Sequence, residues 1–428
     1  MSKLDDLLKQ YCPDGVEYKR LGDIATEIFR GAGIRRDQVV QNGIPCVRYG
    51  EIYTDYGIHF DSCISHTTLN AVASPKWFTY GDILFAITGE SVEEIAKSTA
   101  YLGHDRCLAG GDIVVLKHNE NPMYLSYALS TTDAQRQKSK GKTKSKVVHS
   151  SVPAIESIVV PVPPRPIQDL IAEELDTFTE LTAELTAELT ARRAQYEYYR
   201  DRLLSFEDET AIVKRIKDML DQTCGGADKV EYKRLGDVGT FRRGGNFQKK
   251  EMTLEGIPCI HYGQIYMHYG LAATGTISYL PEPIACNQKK AEPGEIIVAI
   301  TSENVEDVCK AVVWEGDSSV CVSGHTAVFN TAMNPRFVAY WFQTEMFQSQ
   351  KRKYAHGVKV IEISPDQIAQ CMVPCPSRQI QDAIVSILDI FNTLTTDITA
   401  GLPAEISLRQ KQYEHYRDRL LNFNGGMS

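Results

Sequence analysis

The sequence predicts an α+β fold: two similar mixed α/β domains separated by an antiparallel pair of long helices, with an internal pseudo-two-fold repeat. Three observations carry this. The chain is written twice, proline-rich boundaries cut each copy into two parts, and a long segment free of Gly and Pro comes after the first boundary.

The repeat comes first. Val16–Asp23 (VEYKRLGD) recurs as Val230–Asp237 without change, and Ile44–Tyr53 (IPCVRYGEIY) recurs as Ile257–Tyr266 (IPCIHYGQIY). Gly81–Thr88 recurs as Gly294–Thr301, and Gln195–Phe206 as Gln412–Phe423 with two changes. The matches are colinear at an offset of about 213 residues. A period this long means whole domains, not small stacked units. The resulting division is 1–165 (first mixed domain), 166–210 (first spacer helix), 211–376 (second mixed domain) and 377–428 (second spacer helix).

Within each mixed domain, short apolar runs such as Asp82–Thr88 and Gly111–Leu116 are bounded by Gly, Asp and Pro and read as strands. Asn121-Pro122 and Asn334-Pro335 read as an N-cap followed by proline at the first helical position. Pro161–Pro166 and Pro374–Pro376 close the domains. From Ile167 to Phe206 neither Gly nor Pro occurs. Ile171, Leu175, Phe178, Leu185, Leu189, Tyr196, Tyr199 and Leu203 recur there at steps of three, four and seven. The second copy carries Ile384, Leu388, Phe391, Leu394, Ile398, Leu402, Tyr413, Tyr416 and Leu420. Gly401 and Pro403 interrupt it, and a kink or break is expected there. An apolar stripe of this length must be buried, and the other copy, packed antiparallel, is the simplest partner.

At 428 residues the chain can bury two or more cores. Eleven scattered cysteines suit a reducing cytosol better than a disulfide framework. No apolar run near twenty residues stands out, and the start MSKLDDLLKQ lacks a signal-peptide stretch. The expectation is a cytoplasmic protein without a membrane segment. A net charge of −9 does not by itself suggest nucleic acid, so any such partner needs positive charge concentrated locally.

With the duplicated junctions Pro163–Asp169 (PPRPIQD) and Pro376–Asp382 (PSRQIQD), and helices ending in Tyr-Arg-Asp-Arg-Leu-Leu at 199–204 and 416–421, the chain resembles the specificity subunits of type I restriction–modification systems. The tandem Leu-Thr-Ala-Glu units at 181–188 are similar to the four-residue spacer repeats of some members. The resemblance covers nearly the whole chain. It implies two target-recognition domains, each reading one half of a bipartite site in double-stranded DNA. It also implies helices that set the gap and dock two methyltransferase subunits, with restriction/translocase subunits as further partners. On this reading the chain is not an enzyme and binds no cofactor. S-adenosylmethionine, ATP and Mg are expected on the partner subunits.

The alternatives are the recognition subunit of a related methylation or phage-defence complex, and an enzyme, a nuclease or methyltransferase. The enzyme lacks its motifs. Asn121-Pro-Met-Tyr124 and Asn334-Pro-Arg-Phe337 only partly match the Asn-Pro-Pro-Tyr/Phe loop of amino-methyltransferases, and read better as helix caps. No phosphate-cradling Gly-x-x-x-x-Gly-Lys-Ser/Thr and no zinc-type Cys/His spacing occurs, so no catalytic and no metal site is expected. Asp82, Glu90 and Asp112 read as turn residues.

Positive charge does cluster locally. Arg136–Lys146 (RQKSKGKTKSK) offers Lys138, Lys140, Lys142, Lys144 and Lys146, and its repeat equivalent offers Lys351, Arg352, Lys353 and Lys359. A second pair of loops carries Arg30, Arg35 and Arg36, and Arg242, Arg243, Lys249 and Lys250. These suit phosphate contacts. Loops that diverge on a kept scaffold fit two base sequences being read. Tyr49, Tyr53 and Tyr56 recur as Tyr262, Tyr266 and Tyr269 and are assigned a structural role. Arg48 against His261 is a variable position among them, suited to base readout.

Overall fold

The computed structural model describes residues 3–142, 147–206, 218, 230–357, 359–396 and 401–423. The chain divides into two compact units, Met1–Leu185 with Ile406–Ser428, and Thr186–Glu405.

The apolar strand runs do not alternate because both faces of their sheet are covered. In the first unit a five-stranded sheet has the order 25–30, 113–118, 83–86, 98–101, 59–60. Ile83, Phe85, Val114 and Leu116 point into a core shared with helices. Their neighbours Leu84, Ala86, Ile113 and Val115 enter a second core, with Val47, Ile52 and Phe78, on the other face. A second five-stranded sheet, 39–40, 65–67, 44–47, 107–109, 77–78, lies beyond.

The second unit repeats this plan. Its sheet 239–243, 326–331, 296–299, 311–314, 272–273 sends Ile296, Val298 and Phe329 one way and Ile297, Ala299 and Val328 the other. The companion sheet has four strands, 278–280, 257–260, 320–322, 290–291. Where the first unit has an outer strand at Val39–Val40, the second has a single bridge between Thr253 and Tyr279.

The Asn-Pro helices start as the sequence predicts. Asn121 Oδ1 accepts the Tyr124 amide (3.0 Å), and Asn334 Oδ1 accepts those of Arg336 and Phe337. Each cap is clamped by the junction motif. Gln168 Oε1 accepts the Asn121 amide and Asp169 accepts its side-chain N–H; Gln381 and Asp382 do the same for Asn334. The shared Ile-Gln-Asp block is therefore a polar clamp, its Gln buried and its Asp at the surface, and its recurrence is structural.

The first spacer helix runs unbroken over Arg165–Ser205, 41 residues or about 60 Å. Its start buries Ile167, Ile171 and Leu175 in the first unit. Its end buries Tyr196, Leu203 and Leu204 in the second. The second copy is in two pieces, Arg378–Thr396 and Gly401–Leu420. Gly401 takes the left-handed φ of +72°, and a Cβ there would stand 2.7 Å from the carbonyl oxygens of Thr393 and Leu394. That is the expected break, and glycine permits it. Pro403 sits within the first turn of the second piece, where a missing N–H costs little. Ile398 lies outside the described residues.

Inside each unit a piece of one spacer copy packs with a piece of the other. In the first, Phe178 stacks on Tyr416 at 5.5 Å. In the second, Arg193 Nε donates to the Thr395 carbonyl and Tyr199 packs on Phe391, an antiparallel progression. The Tyr-Arg-Asp motif has a job here. Asp418 accepts the Thr132 amide and Asp201 the Glu345 amide, capping equivalent helices of the two domains.

By length and composition alone the span 378–420 is apolar enough to cross a membrane, though its described part is two helices broken at Gly401. Ile384, Val385 and Leu388 on it are buried in the second unit's core, which accounts for part of that apolar character.

Candidate nucleic-acid interface

The basic loops start where the first strand of each large sheet ends. Arg30 is tied down: its Nε donates to the Gly111 carbonyl (2.5 Å) and its Nη2 pairs with Asp112 (2.6 Å). A Cβ on Gly31 would meet the Gly110 carbonyl oxygen at 2.1 Å, so glycine lets the loop lie against Gly110. Arg35 and Arg36 are exposed, Arg35 sharing its charge loosely with Asp37 at 3.4 Å.

In the second unit Arg242 grips the buried Glu295 through both terminal nitrogens, and Arg243 pairs with Glu362. Lys249 and Lys250 stand exposed on a single 3₁₀ turn. Arg30, Arg242 and Arg243 are thus already engaged by acids. Arg35, Arg36, Lys249 and Lys250 are the open cations of these loops.

The lysine-rich segments need a sharper correction. Lys138 and Lys351 are buried, at 5% and 2% exposure. Lys138 Nζ donates to the Leu129 carbonyl (2.8 Å) and Ser98 Oγ (3.2 Å). Lys351 Nζ donates to the carbonyls of Glu306 (2.7 Å) and Val308 (2.6 Å). Burial pushes Lys138 down to about 7 and Lys351 down to about 8. Neither can reach a phosphate. The helices Thr132–Ser139 and Glu345–Lys351 bury one face, and these lysines sit on it.

Lys140, Lys353 and Lys359 remain exposed, and Arg352 pairs with Glu345 at 2.6 Å. Lys142 Nζ donates to the His149 carbonyl (2.7 Å). Lys144 and Lys146 lie outside the described residues.

Arg48 and His261 cap equivalent short helices, Tyr49–Thr54 and Tyr262–Met267. Arg48 Nε bonds Glu51 Oε1 at 2.7 Å. His261 Nδ1 accepts the Gly263 amide at 3.3 Å. Burial, with His325 and Lys249 nearby, lowers the His261 pKa and favours the neutral ring. The later tyrosines are internal struts. Tyr56 and Tyr269 hydroxyls accept the amides of Ile64 and Ile277, and Tyr53 and Tyr266 donate to the carbonyls of Ala86 and Thr301. Tyr49 is exposed.

Sequence reasoning missed a lysine that recurs as Lys76 and Lys289, both exposed. Lys76 Nζ lies 5.7 Å over the Phe29 ring, next to Arg30. The Lys289 amide would be 3.1 Å from a Cβ on Gly245. Both flank the first basic loop in space while lying more than forty residues from it in sequence. Their signal was recurrence at the repeat offset, not clustering.

The acids weighed for catalysis are dispersed. Asp82 accepts the Thr79 amide in a turn, and Asp112 is held by Arg30. Among the described residues, no three His, Cys, Asp or Glu side chains gather as a metal group.

The family model for the type I restriction modification DNA specificity domain matches residues 13–192 and 227–408. The chain is 31% identical over 277 residues to the type I restriction enzyme EcoR124I/EcoR124II specificity subunit of Escherichia coli; the match spans 63% of each chain. It is 28% identical to a putative type I restriction enzyme specificity subunit of Haemophilus influenzae, over 66% of this chain and 68% of that one. Two solved structures share the fold. One is a type I restriction–modification S subunit from M. genitalium, with a TM-score of 0.51 at 14% identity, covering 96% of this chain and 97% of that one. The other comes from work on assembly and conformational transition of the type I R-M system, with a TM-score of 0.58 at 15% identity, covering 96% and 98%.

Proposed function

The chain belongs to the family of type I restriction–modification DNA specificity subunits, and we propose that each of its two mixed domains reads one half of a split site in double-stranded DNA. The observation that carries this is a duplicated, buried scaffold bearing loops whose exposed side chains differ: Arg35 and Arg36 in one copy, Lys249 and Lys250 in the other. A scaffold repeated to hold two identical ligands would have no reason to vary in its exposed loop cations. The exposed cations supply phosphate contacts that set register, and base edges are read by side chains between them.

The chain supplies recognition and no bond-making group. Two methyltransferase subunits bring S-adenosylmethionine, and restriction/translocase subunits bring ATP and Mg. Partners that act on chromosomal DNA place the assembly in the cytoplasm.

The test is co-expression with a methyltransferase subunit of the same system, followed by genome-wide methylation mapping. Adenine methylation at a bipartite site is expected, and replacing residues 24–150 by another such domain should change one half-site only. Methyl incorporation by the purified lone chain, or methylation of one contiguous site, would overturn the reading.

A further inference from the structure

The two copies differ at one buried position in a way that folding does not demand. Glu51 and Gln264 are equivalent, at 4% and 7% exposure. Both carry out the same structural task. Glu51 Oε2 accepts the Arg48 amide (3.0 Å) and Gln264 Oε1 the His261 amide (2.8 Å), closing the same capping turn. Both also bond the serine that repeats across from them, Ser65 Oγ at 2.7 Å and Ser278 Oγ at 2.6 Å. An uncharged amide therefore suffices for the fold. A carboxylate in the same place carries a larger desolvation cost, so its charge calls for a separate explanation.

That explanation is the third bond. Glu51 Oε1 also accepts from Arg48 Nε, which holds the guanidinium by one edge. Among the described residues the guanidinium's hydrogen bonds use Nε alone, leaving Nη1 and Nη2 unused. Gln264 is poorer at this, because its one acceptor oxygen already takes the His261 amide and its second atom is an N–H donor given to Ser278. With the amide stands a histidine, whose Nδ1 is occupied by the Gly263 amide and whose Nε2 then carries the hydrogen. Arginine with glutamate and histidine with glutamine are matched pairs.

Both caps adjoin the basic loops of their domains. A Cβ on Gly110, which the first basic loop lies against, would be 3.3 Å from Arg48 Cα. Phe247, within the second basic loop, has its ring 6.2 Å from that of His261. The loop that carries the open cations and a pre-oriented donor are thus neighbours in each domain.

Building on the proposed function, we propose that residues 48/51 and 261/264 form a paired specificity position. Arg48, steadied by Glu51, donates both terminal N–H groups to O6 and N7 of one guanine in the first half-site. His261 donates a single N–H from Nε2 to one acceptor on a base edge in the second. Glu51 and Gln264 are positioning residues that decide which donor geometry the cap can present.

Methylation mapping of the co-expressed complex tests this. R48A is expected to relax preference at one base pair of the first half-site by roughly tenfold to a hundredfold, with the second half-site unchanged. E51Q, which keeps the cap and the arginine, should relax the same base pair to a smaller degree. The double variant H261R/Q264E should create a guanine preference at one position of the second half-site, and H261R alone should do so more weakly. Retained melting temperature shows that each variant folds. If R48A weakens methylation at every site equally, with all base preferences kept, Arg48 is a phosphate contact and the proposal fails. If the wild-type complex methylates no split site, it is the functional reading beneath that fails.

Discussion

Trp341, Phe342 and Phe347 occupy in the second domain the positions that Ala128, Leu129 and Ala134 hold in the first. All six are buried. The three aromatics pack on one another at 4.6 to 5.7 Å in the second core. The first core takes Leu4, Leu7 and Leu8 from the helix Lys3–Tyr11. Beside these changes in volume, a set of inward-facing charged and amide groups is kept. Lys138 and Lys351, Gln168 and Gln381, and Asp176 and Asp389 with their tyrosines Tyr127 and Tyr340 all recur. Two copies of one plan have diverged in core volume and at single buried hydroxyls (Thr67, Ser98, Thr99 and Ser126 give way to Leu280, Ala311, Val312 and Ala339) while keeping these lysine, glutamine and Asp–Tyr pairs. A hydrophobic core can repack around a new shape at modest cost. A half-satisfied buried polar group strands donors and acceptors, so a lost partner is replaced: where Ser98 is Ala311, the second lysine takes the Glu306 and Val308 carbonyls instead.

The strongest attack on this comparison is to empty the aromatic cluster. Trp341→Ala should cost about 3–5 kcal/mol in denaturant unfolding followed on the second unit. Trp341→Phe should cost much less, because it also removes a buried indole N–H that has no partner. The mirror change Ala128→Trp should overpack the first core at about 1–3 kcal/mol. A Trp341→Ala cost below about 1 kcal/mol would mean that the aromatics are not what fills the second core.

The buried lysines sharpen the other half of the comparison. Lys138 falls from 10.5 to about 7 on folding, and Lys351 from 10.5 to about 8. Below those values both the folded and unfolded states carry the proton, and the charge-burial cost is complete. Between there and 10.5 only the unfolded state stays protonated, so folding stability rises with pH. Relative to Lys138→Met, the wild-type chain should gain stability from about pH 7 upward. For Lys351→Met the gain should start near pH 8 and be smaller. The full change is on the order of a few kcal/mol, reduced because the Leu129 and Val308 carbonyls also favour the charged ammonium. Parallel stability–pH curves for wild type and both variants would show that the lysines stay fully charged in the core.

Much of the fold was legible, and the reason is periodicity. The repeat, the Asn-Pro caps, the proline boundaries and the break at Gly401 each have a local physical cause written in adjacent residues. The candidate interface was legible only in part, because charge in a sequence does not say which way a side chain faces. Lys138 and Lys351 lie in lysine-bearing runs yet occupy the buried face of a one-to-two-turn helix, too short for its periodicity to stand out. Arg242 reads as a loop cation and turns out to be the counterion of Glu295, 53 residues away. Lys76 and Lys289 went unnoticed because only the folded sheet brings them beside the loops.

A smaller effect separates surface cations from buried ones. On the proposed function, Arg35→Ala with Arg36→Ala, or Lys249→Ala with Lys250→Ala, should lower the slope of log affinity against log salt by about 2, and leave base preference intact. Lys138→Met and Lys351→Met should leave that slope unchanged in folded protein. A slope that responds to the buried lysines as strongly as to the exposed pairs would return Lys138 and Lys351 to the interface.

The smallest effect in free energy concerns the spacer helices, where the two copies differ in length by four residues. The second copy has four more residues than the first between its Ile-Gln-Asp and Gln-Tyr-Glu blocks. The division between the units falls at Leu185–Thr186, inside the Leu-Thr-Ala-Glu repeats of the first spacer helix. Most of the repeat is solvent-facing: Leu181 is 38% exposed, and of its leucines only Leu189 is buried. Thr182 and Thr190 return their hydroxyls to the carbonyls one turn back, so the repeat satisfies itself along the helix. An added unit after Glu188 lengthens the helix by about 6 Å and rotates its C-terminal portion by roughly 40°. Four residues are close to one turn, so Leu189 and Tyr196 keep nearly the same face and stability should change by less than about 1 kcal/mol. DNA rises about 3.4 Å per base pair; an insertion of this length, tilted against the duplex, corresponds to one to two base pairs. Methylation mapping of the insertion variant should therefore return the same two half-sites with a longer gap. An unchanged gap at full activity would make the repeat mere helical filler. Altered half-site bases would mean that the spacer steers the recognition domains as well as separating their targets.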